Sequence, residues 1–178
     1  MDDLRASKTL SLLLRHDPGR FGVTLDQEGW IDIAVLLTAL ADNGSPISDE
    51  QLTRIVQLSD KQRFAFDESG SRIRANQGHS VKVDLRLTPT RPPDTLFHGT
   101  PSRNLESIAQ DGLRSGQRHA VHLSSDVETA HRVGARRGSH VVLVVDAASM
   151  HADGHEFTVS ANGVWLVAAV PARYLRLM

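Results

Sequence analysis

"RLTPTRPPD", residues 86–94, decides how this chain is read. It carries three of the seven prolines and no apolar periodicity. Proline removes a backbone donor and disfavours helix in the residue before it, so the stretch reads as an extended linker. Two lobes follow, 1–85 and 95–178, joined by residues 86–94. Their composition differs. Residues 1–85 hold 10 Lys+Arg, 13 Asp+Glu and two histidines; residues 86–178 hold 10, eight and seven.

Upstream of the linker the chain spells three helices and a hairpin. Leu10, Leu13 and Leu14 share a face at i, i+3, i+4 spacing, and Pro18 ends that helix near His16. "GVTLDQEGWIDI" suggests two short strands about a turn at Gln27–Gly29. Asp32 is an N-cap for a helix that Gly44 stops. Ser48 with Gln51 reads as a capping box for a helix over 49–58. "RFAFD" and "RIRA" alternate around "ESGS", a hairpin signature. Three helices and a terminal hairpin predict a winged-helix-like lobe.

Downstream, strands are expected at "TLFHG", "AVHLS", "HVVLVVD", "HEFTV" and "GVWLVAAV". Helices are expected from Ser102 to Asp111 and from Asp126 to about Arg136, stopped by Gly112 and Gly138. Strands dominate late, which predicts an α+β lobe with a mixed sheet rather than alternating parallel units.

The 178 residues carry a formal net charge of −1 and 40% hydrophobic residues, so a real core can form and any basic site must be a local patch. Cysteine is absent, which excludes disulfides and thiolate chemistry. The acidic start and the lack of a long apolar run predict a cytoplasmic protein with no membrane partner. A monomer is expected. No dinucleotide-type or P-loop glycine pattern occurs.

Four polar stretches remain. Arg15-His16 is either a cationic helix end opposing the macrodipole or an anion clamp beside a proton donor. Arg72 and Arg74 share a strand face, followed by Asn76, Gln77, Gly78, His79 and Ser80; this is a solvated edge or a polar nest. His98-Gly99-Thr100 closes a strand before a helix, where a small residue permits close approach and the helix start favours anions. Arg132 and Arg136, at i, i+4, form either a solvated face or a cation pair, with Arg137 beside them. His98, His119 and His122 nominally supply three zinc ligands. No cysteine supports them, and odd spacing on a strand sends His119 and His122 to opposite faces, so no metal is expected.

The ordered set LLRHxP, IRAxQGHS, HGT, HLS, VGARRG and NGVWL, spanning about residues 7–170, resembles the RNA 2′-phosphotransferase family known for tRNA splicing and RNA repair. The resemblance implies an N-terminal winged-helix RNA-binding lobe and a C-terminal ADP-ribosyltransferase-like lobe that binds NAD+. It implies a two-step removal of an internal RNA 2′-phosphate. The phosphate is first ADP-ribosylated with loss of nicotinamide. Transesterification then yields 2′-hydroxyl RNA and ADP-ribose 1″,2″-cyclic phosphate. It assigns catalysis to Arg15, His16, Arg74 and Arg136, and NAD+ to His98, Gly99, Thr100, His122 and Ser124, with Arg132 as a further contact. Gln77, His79 and Ser80 are expected to line the RNA phosphate site. Residues 157–178 contain no Asp or Glu. A phosphate nucleophile is already anionic and needs no carboxylate base. Two alternatives stay open: an ADP-ribosyltransferase that caps terminal RNA or DNA phosphates, and a non-enzymatic winged-helix nucleotide sensor.

Overall fold

The computed structural model describes residues 2–58 and 62–178, with the Arg137 side chain outside that set. The chain divides into two compact units, Met1–Arg86 and Leu87–Met178.

The first unit opens with helix α1 (Asp3–Arg15), N-capped by the Asp2 carboxylate on Arg5 N–H. Its Ala6, Leu10, Leu13 and Leu14 are buried, the spacing read from the sequence. His16 caps the helix, and the N–H groups of His16 and Asp17 both donate to Leu12 O. Strand β1 (Ile31–Asp32) is followed directly by α2 (Ile33–Asp42), where the Asp32 carboxylate accepts from Ala34 and Val35 N–H. Gly44 leaves the helix at φ 68°. Helix α3 (Asp49–Gln57) starts at Ser48, whose hydroxyl accepts from Gln51 N–H. The Gln51 side chain reaches across to Asp3 on α1, as does Arg54. These hydrogen bonds, Arg54 first, hold the Asp3 carboxyl down at about 2.

Strands β2 (Phe64–Phe66) and β3 (Arg72–Ala75) form the expected hairpin, and β1 pairs with β3, giving the antiparallel order β1-β3-β2. The Asp67 carboxylate accepts from Ser71 and Arg72 N–H and closes the turn. Only one strand flanks the 27–29 turn. Residues 23–26 form no strand: Asp26 N–H donates to Trp30 O, but the Asp26 side chain takes the Glu28 and Trp30 N–H groups that a ladder would use. The core gathers Leu10, Leu13, Leu14, Leu36, Leu40, Leu52, Phe64 and Ile73.

The second unit begins with the proline stretch. Residues 87–94 are extended, as their prolines require, and they are held to this unit. Pro89 bridges Thr158 in antiparallel register, and Thr90 N–H donates to Phe157 O at 2.7 Å. Strand β4 (Thr95–Pro101) leads through a short 3-10 turn into α4 (Leu105–Asp111), then β5 (Leu113–Arg114). Next come β6 (Val121–Leu123), α5 (Val127–Gly134), a 3-10 turn Ala135–Arg137, and β7 (His140–Asp146). The unit ends with α6 (Ala147–Ala152), β8 (Phe157–Val159), β9 (Trp165–Val167), β10 (Ala169–Val170) and β11 (Leu175–Leu177).

The single mixed sheet expected here is instead three small sheets, β11-β7-β4, β6-β9-β8 and β10-β5, with every described pairing antiparallel. Most of these strands span two or three residues, too short to knit one continuous ladder; only β4 and β7 run seven. The two larger sheets touch at one point, where Phe97 and Ser124 exchange backbone hydrogen bonds of 2.9 and 2.8 Å. The core collects Leu96, Leu123, Val145, Met150 and Phe157, each almost fully buried. Among the described residues no helix is long and apolar enough to cross a membrane.

The caps carry a simple test. Asp32→Ala strips two N–H groups of their acceptor and should destabilise the protein by about 1 kcal/mol, read as a lower urea midpoint.

Candidate active site

The candidate residues divide between the two units. In the first, the end of α1 is fastened by the segment that follows β3. Ser80 and Val81 N–H donate to Arg15 O at 2.8 and 3.3 Å. This brings the His16 ring to Ser80, with Nδ1 3.0 Å from Oγ. The Ser80 hydroxyl also reaches Arg15 O at 3.4 Å. A hydroxyl has one proton, so both contacts hold together only when His16 Nδ1–H donates and Ser80 donates onward. That arrangement puts the hydrogen of a neutral His16 ring on Nδ1.

Arg15 is half-buried at the end of α1. Its Nη2 donates to Arg63 O at 3.2 Å, and the guanidinium carbon lies 5.8 Å from the Phe64 ring centroid. Arg63 O also accepts from Asn76 N–H, so one carbonyl ties Arg15 to the exit of the hairpin.

Arg72 and Arg74 share a face of β3, as the alternation requires, but their surroundings differ. Arg72 Nε lies 3.0 Å from Asp67, and its Nη1 lies 3.6 Å from Asp26. Arg74 is half-buried and has no carboxylate within ion-pair distance among the described residues. Its Nη1 donates to Glu28 O at 3.4 Å, and its guanidinium lies 4.4 Å from the Trp30 ring centroid. Its buried Nε makes no hydrogen bond. Burial pulls the Arg74 pKa down, with the charges of Glu28 and Asp26 opposing. An arginine stays ionised regardless, so this is a partly desolvated cation with no carboxylate in ion-pair contact among the described residues.

Gln77 and Ser80 retain exposure. His79 does not: it is 3% exposed, with Nε2 packed toward Gly29. Its ring supports the 26–30 turn rather than presenting itself to solvent.

In the second unit, His98, Gly99 and Thr100 lie on β4 opposite Leu143, Val142 and Val141 of β7. His98 Nδ1 sits 3.0 Å from His122 O. A carbonyl only accepts, so Nδ1 carries the hydrogen, and the neutral ring leaves Nε2 as an acceptor. Burial depresses the His98 pKa against the opposing effect of that hydrogen bond. His122 accepts from Arg118 Nη1 at Nδ1, 2.8 Å away, which assigns its own hydrogen to Nε2. Thr100 is 3% exposed and accepts from Asn104 Nδ2 at 3.2 Å. Together with the Phe97–Ser124 bridge, these bonds bring His98, Gly99, Thr100, His122 and Ser124 into one neighbourhood.

Gly99 has a packing reason to be glycine. A Cβ there would stand 1.8 Å from Ala130 O and 2.9 Å from Gly134 N, so α5 lies backbone-to-backbone on β4. Ala130 and Gly134 face the strand. Arg132, two positions from each, lies on the exposed face and donates to Thr129 Oγ1 at 2.9 Å. Arg136 is exposed in the 3-10 turn. The α-helix stops at Gly134, so helical i, i+4 spacing does not carry from Arg132 to Arg136. The alternative to Arg136, the Arg137 side chain, lies outside the described residues. His119 precedes β6 and is exposed, so strand alternation does not relate it to His122. Among the described residues, no group of three or more histidines or carboxylates is placed to hold a metal ion.

Three participants escaped the sequence reading. Trp30 and Glu28 surround Arg74, and Arg118 fixes His122. Arg118 sits four residues before its partner in a visible stretch; Trp30 meets Arg74 only through the β1–β3 register.

Comparison with known proteins places these residues in context. Residues 1–169 match the RNA 2′-phosphotransferase, Tpt1 / KptA family. The chain belongs to that family. A probable RNA 2′-phosphotransferase of Streptomyces coelicolor is 57% identical over 173 residues, covering 97% of this chain and 94% of the relative. Those of Agrobacterium fabrum and Nostoc punctiforme are 53% and 50% identical, covering 95% and 97% of this chain and 91% and 96% of their own. In this RNA 2′-phosphotransferase family member, Arg136 stands exposed in a 3-10 turn, while Arg15, His16, Arg74, His98 and His122 are each held by a directed hydrogen bond.

Two outcomes follow from the β4 geometry. Gly99→Ala should cost about 3 kcal/mol or more, seen as a large drop in the urea midpoint, because the obstacle is helix backbone. His98 has a folded pKa below its unfolded 6.5. The unfolded chain therefore takes up its proton first, and stability falls as pH drops through about 6.5. Going from about pH 8 to about pH 5.5, wild type should lose more stability than His98→Gln.

Proposed function

We propose that this protein is an NAD+-dependent enzyme that removes an internal 2′-phosphate from RNA. The observation that carries the reading is Arg74: a half-buried guanidinium with no carboxylate partner, in a chain whose family is that of RNA 2′-phosphotransferases. A partly desolvated cation without an ion-pair partner is poised for an anion, and two oxygens of a phosphate can accept bidentately from the planar guanidinium fork.

In this reading Arg15 and Arg74 bind the RNA phosphate and the charge that develops on it, and Arg136 is a further catalytic cation carried by the second unit. One phosphate oxygen attacks the nicotinamide-bearing ribose carbon of the co-substrate NAD+. The C–N bond breaks, and nicotinamide leaves with the electron pair. The ribose 2″-hydroxyl then attacks phosphorus, loses its proton, and the RNA 2′-oxygen departs and takes a proton. His16 serves that proton transfer through Nε2, its ring held by Ser80. His98, Gly99, Thr100, His122 and Ser124 hold NAD+, with Arg132 as a further phosphate contact. The acceptor phosphate is ionised already, which agrees with β9, Trp165–Val167, carrying no carboxylate. Gln77 lines the RNA site. His79 contributes by supporting the 26–30 turn. A cytoplasmic monomer with a winged-helix-like RNA-binding lobe and an ADP-ribosyltransferase-like lobe completes the reading.

The test is an oligoribonucleotide bearing one internal 2′-phosphate, incubated with and without NAD+. Phosphate loss only with NAD+, together with nicotinamide and a cyclic-phosphate product, is expected. Loss without NAD+ overturns the reading. Accumulation of an ADP-ribosylated RNA that goes no further identifies an enzyme of the first step alone. Arg15→Ala and Arg74→Ala should each lower kcat/KM about 100-fold or more, with melting temperatures near that of wild type.

A further inference from the structure

We propose that Trp30 is the positioning residue for the Arg74 guanidinium, holding it by its face so that its edge stays available for the RNA phosphate. This deepens the reading above and rests on its assignment of Arg74 to the phosphate.

The 26–30 turn builds the platform. Asp26 accepts from Glu28 and Trp30 N–H at 2.9 and 2.8 Å, and Asp26 N–H donates to Trp30 O at 3.0 Å. Gly29 makes the turn at φ 83°, with the buried His79 ring against it. The β1–β3 register pairs Ile31 with Ile73 and Asp32 with Arg72. One step further, Trp30 falls opposite Arg74. The indole thus meets the guanidinium across the strand pair, at 4.4 Å from the ring centroid.

The type of partner matters. Arg72, on the same face, is held by Asp67 and Asp26. Those carboxylates neutralise its charge and occupy its donor edge. Trp30 also lies beneath Arg72, at the longer distance of 5.5 Å. Arg74 is held by a π face and one carbonyl. A cation–π contact engages the plane of the guanidinium and consumes no N–H. It fixes orientation and leaves the charge unpaired, whereas a carboxylate would fix orientation and remove the function. Among the described residues, Glu28 O on Nη1 is the one hydrogen-bond acceptor that touches this guanidinium, so Nη2 keeps its donors, and the buried Nε has no acceptor.

The experiment uses the full chain as wild type, Trp30→Phe, Trp30→Leu, Arg74→Lys and the Trp30→Leu/Arg74→Lys double variant. Two readouts are taken. The first is kcat/KM on 2′-phosphorylated RNA with NAD+. Trp30→Phe, which keeps a ring face, should stay within about threefold of wild type, and Trp30→Leu should fall about five- to twentyfold. That loss should vanish when Trp30→Leu is made in the Arg74→Lys background, since lysine has no planar group to orient. A merely structural tryptophan would give the same loss in both backgrounds. The second readout needs no turnover. The Arg74 Nε–Hε resonance, identified by its absence from Arg74→Lys, should be ring-shifted in wild type and in Trp30→Phe, and should return to the ordinary arginine position in Trp30→Leu. Equal losses in the two backgrounds, or an Arg74 resonance that Trp30→Leu leaves in place, overturns the proposal. A wild type that leaves the 2′-phosphate in place overturns the reading of the reaction instead, and the resonance still decides the stacking.

Discussion

The carbonyl of Arg15 is the joint on which the first unit turns. It is among the last carbonyls of α1, which have no partner further along the helix. Two N–H groups from residues 80 and 81 take its lone pairs, and the hydroxyl of Ser80 adds a third approach. Those residues lie immediately beyond the β2–β3 hairpin. One acceptor therefore fixes the helix end, the exit of the hairpin and the His16 ring together. A helix terminus usually spends its carbonyls on water or a glycine cap. Here the terminus is satisfied by chain from over sixty residues away, and the side chains beside it gain a fixed frame. Pro18 contributes by forbidding further helix, so Arg15 and His16 always stand on the last turn.

Electrostatics then separates arginines that look alike. Arg72 and Arg74 are two residues apart on one strand face. The Asp67 that closes the hairpin turn is spoken for by Arg72, and its carboxyl is held down at about 2, chiefly by the Arg72 backbone N–H. Such a carboxylate remains ionised at any working pH and keeps Arg72 occupied. Arg74 lies beyond its reach and meets an indole instead. Partly desolvating a cation without an ion-pair partner costs free energy. A chain that retains such a cation beside a rigid aromatic face is carrying a cost that an anionic substrate would offset on binding.

Legibility in the sequence followed the range of each interaction. Caps were readable because they act over three or four residues: Asp32 and Ser48 start their helices, and Gly44 ends one, where the local pattern puts them. The β2–β3 hairpin was readable for the same reason. What failed depended on distant partners. Leu113–Arg114 is a strand only because Ala169–Val170 lies beside it, and Leu175–Leu177 only because β7 does. Helix α6 is short, yet Asp146 capping Ser149 N–H was a local signal that went unused. The residues proposed for the site stand out by the order of their motifs along the chain. The supporting ones, Trp30 above all, do not, since a tryptophan before a two-residue strand announces nothing until the register is known.

The second unit shows what one glycine does for packing. Gly99 stands between His98 and Thr100, and the space where its side chain would point is filled by the Ala130 carbonyl. Removing the side chain let a helix approach, and the approach has its own consequence. With α5 lying directly on β4 through Ala130 and Gly134, the exposed Arg132 and the turn at Ala135–Arg137 are carried on a helix that has little freedom to shift along the strand. His98, one residue away, is meanwhile locked to His122 O, and His122 to Arg118. Close backbone packing on one side of β4 and a chain of directed hydrogen bonds on the other thus serve one end. They hold polar groups of α5, β4 and β6 in a fixed relation, the preorganisation that the proposed NAD+ reading calls for.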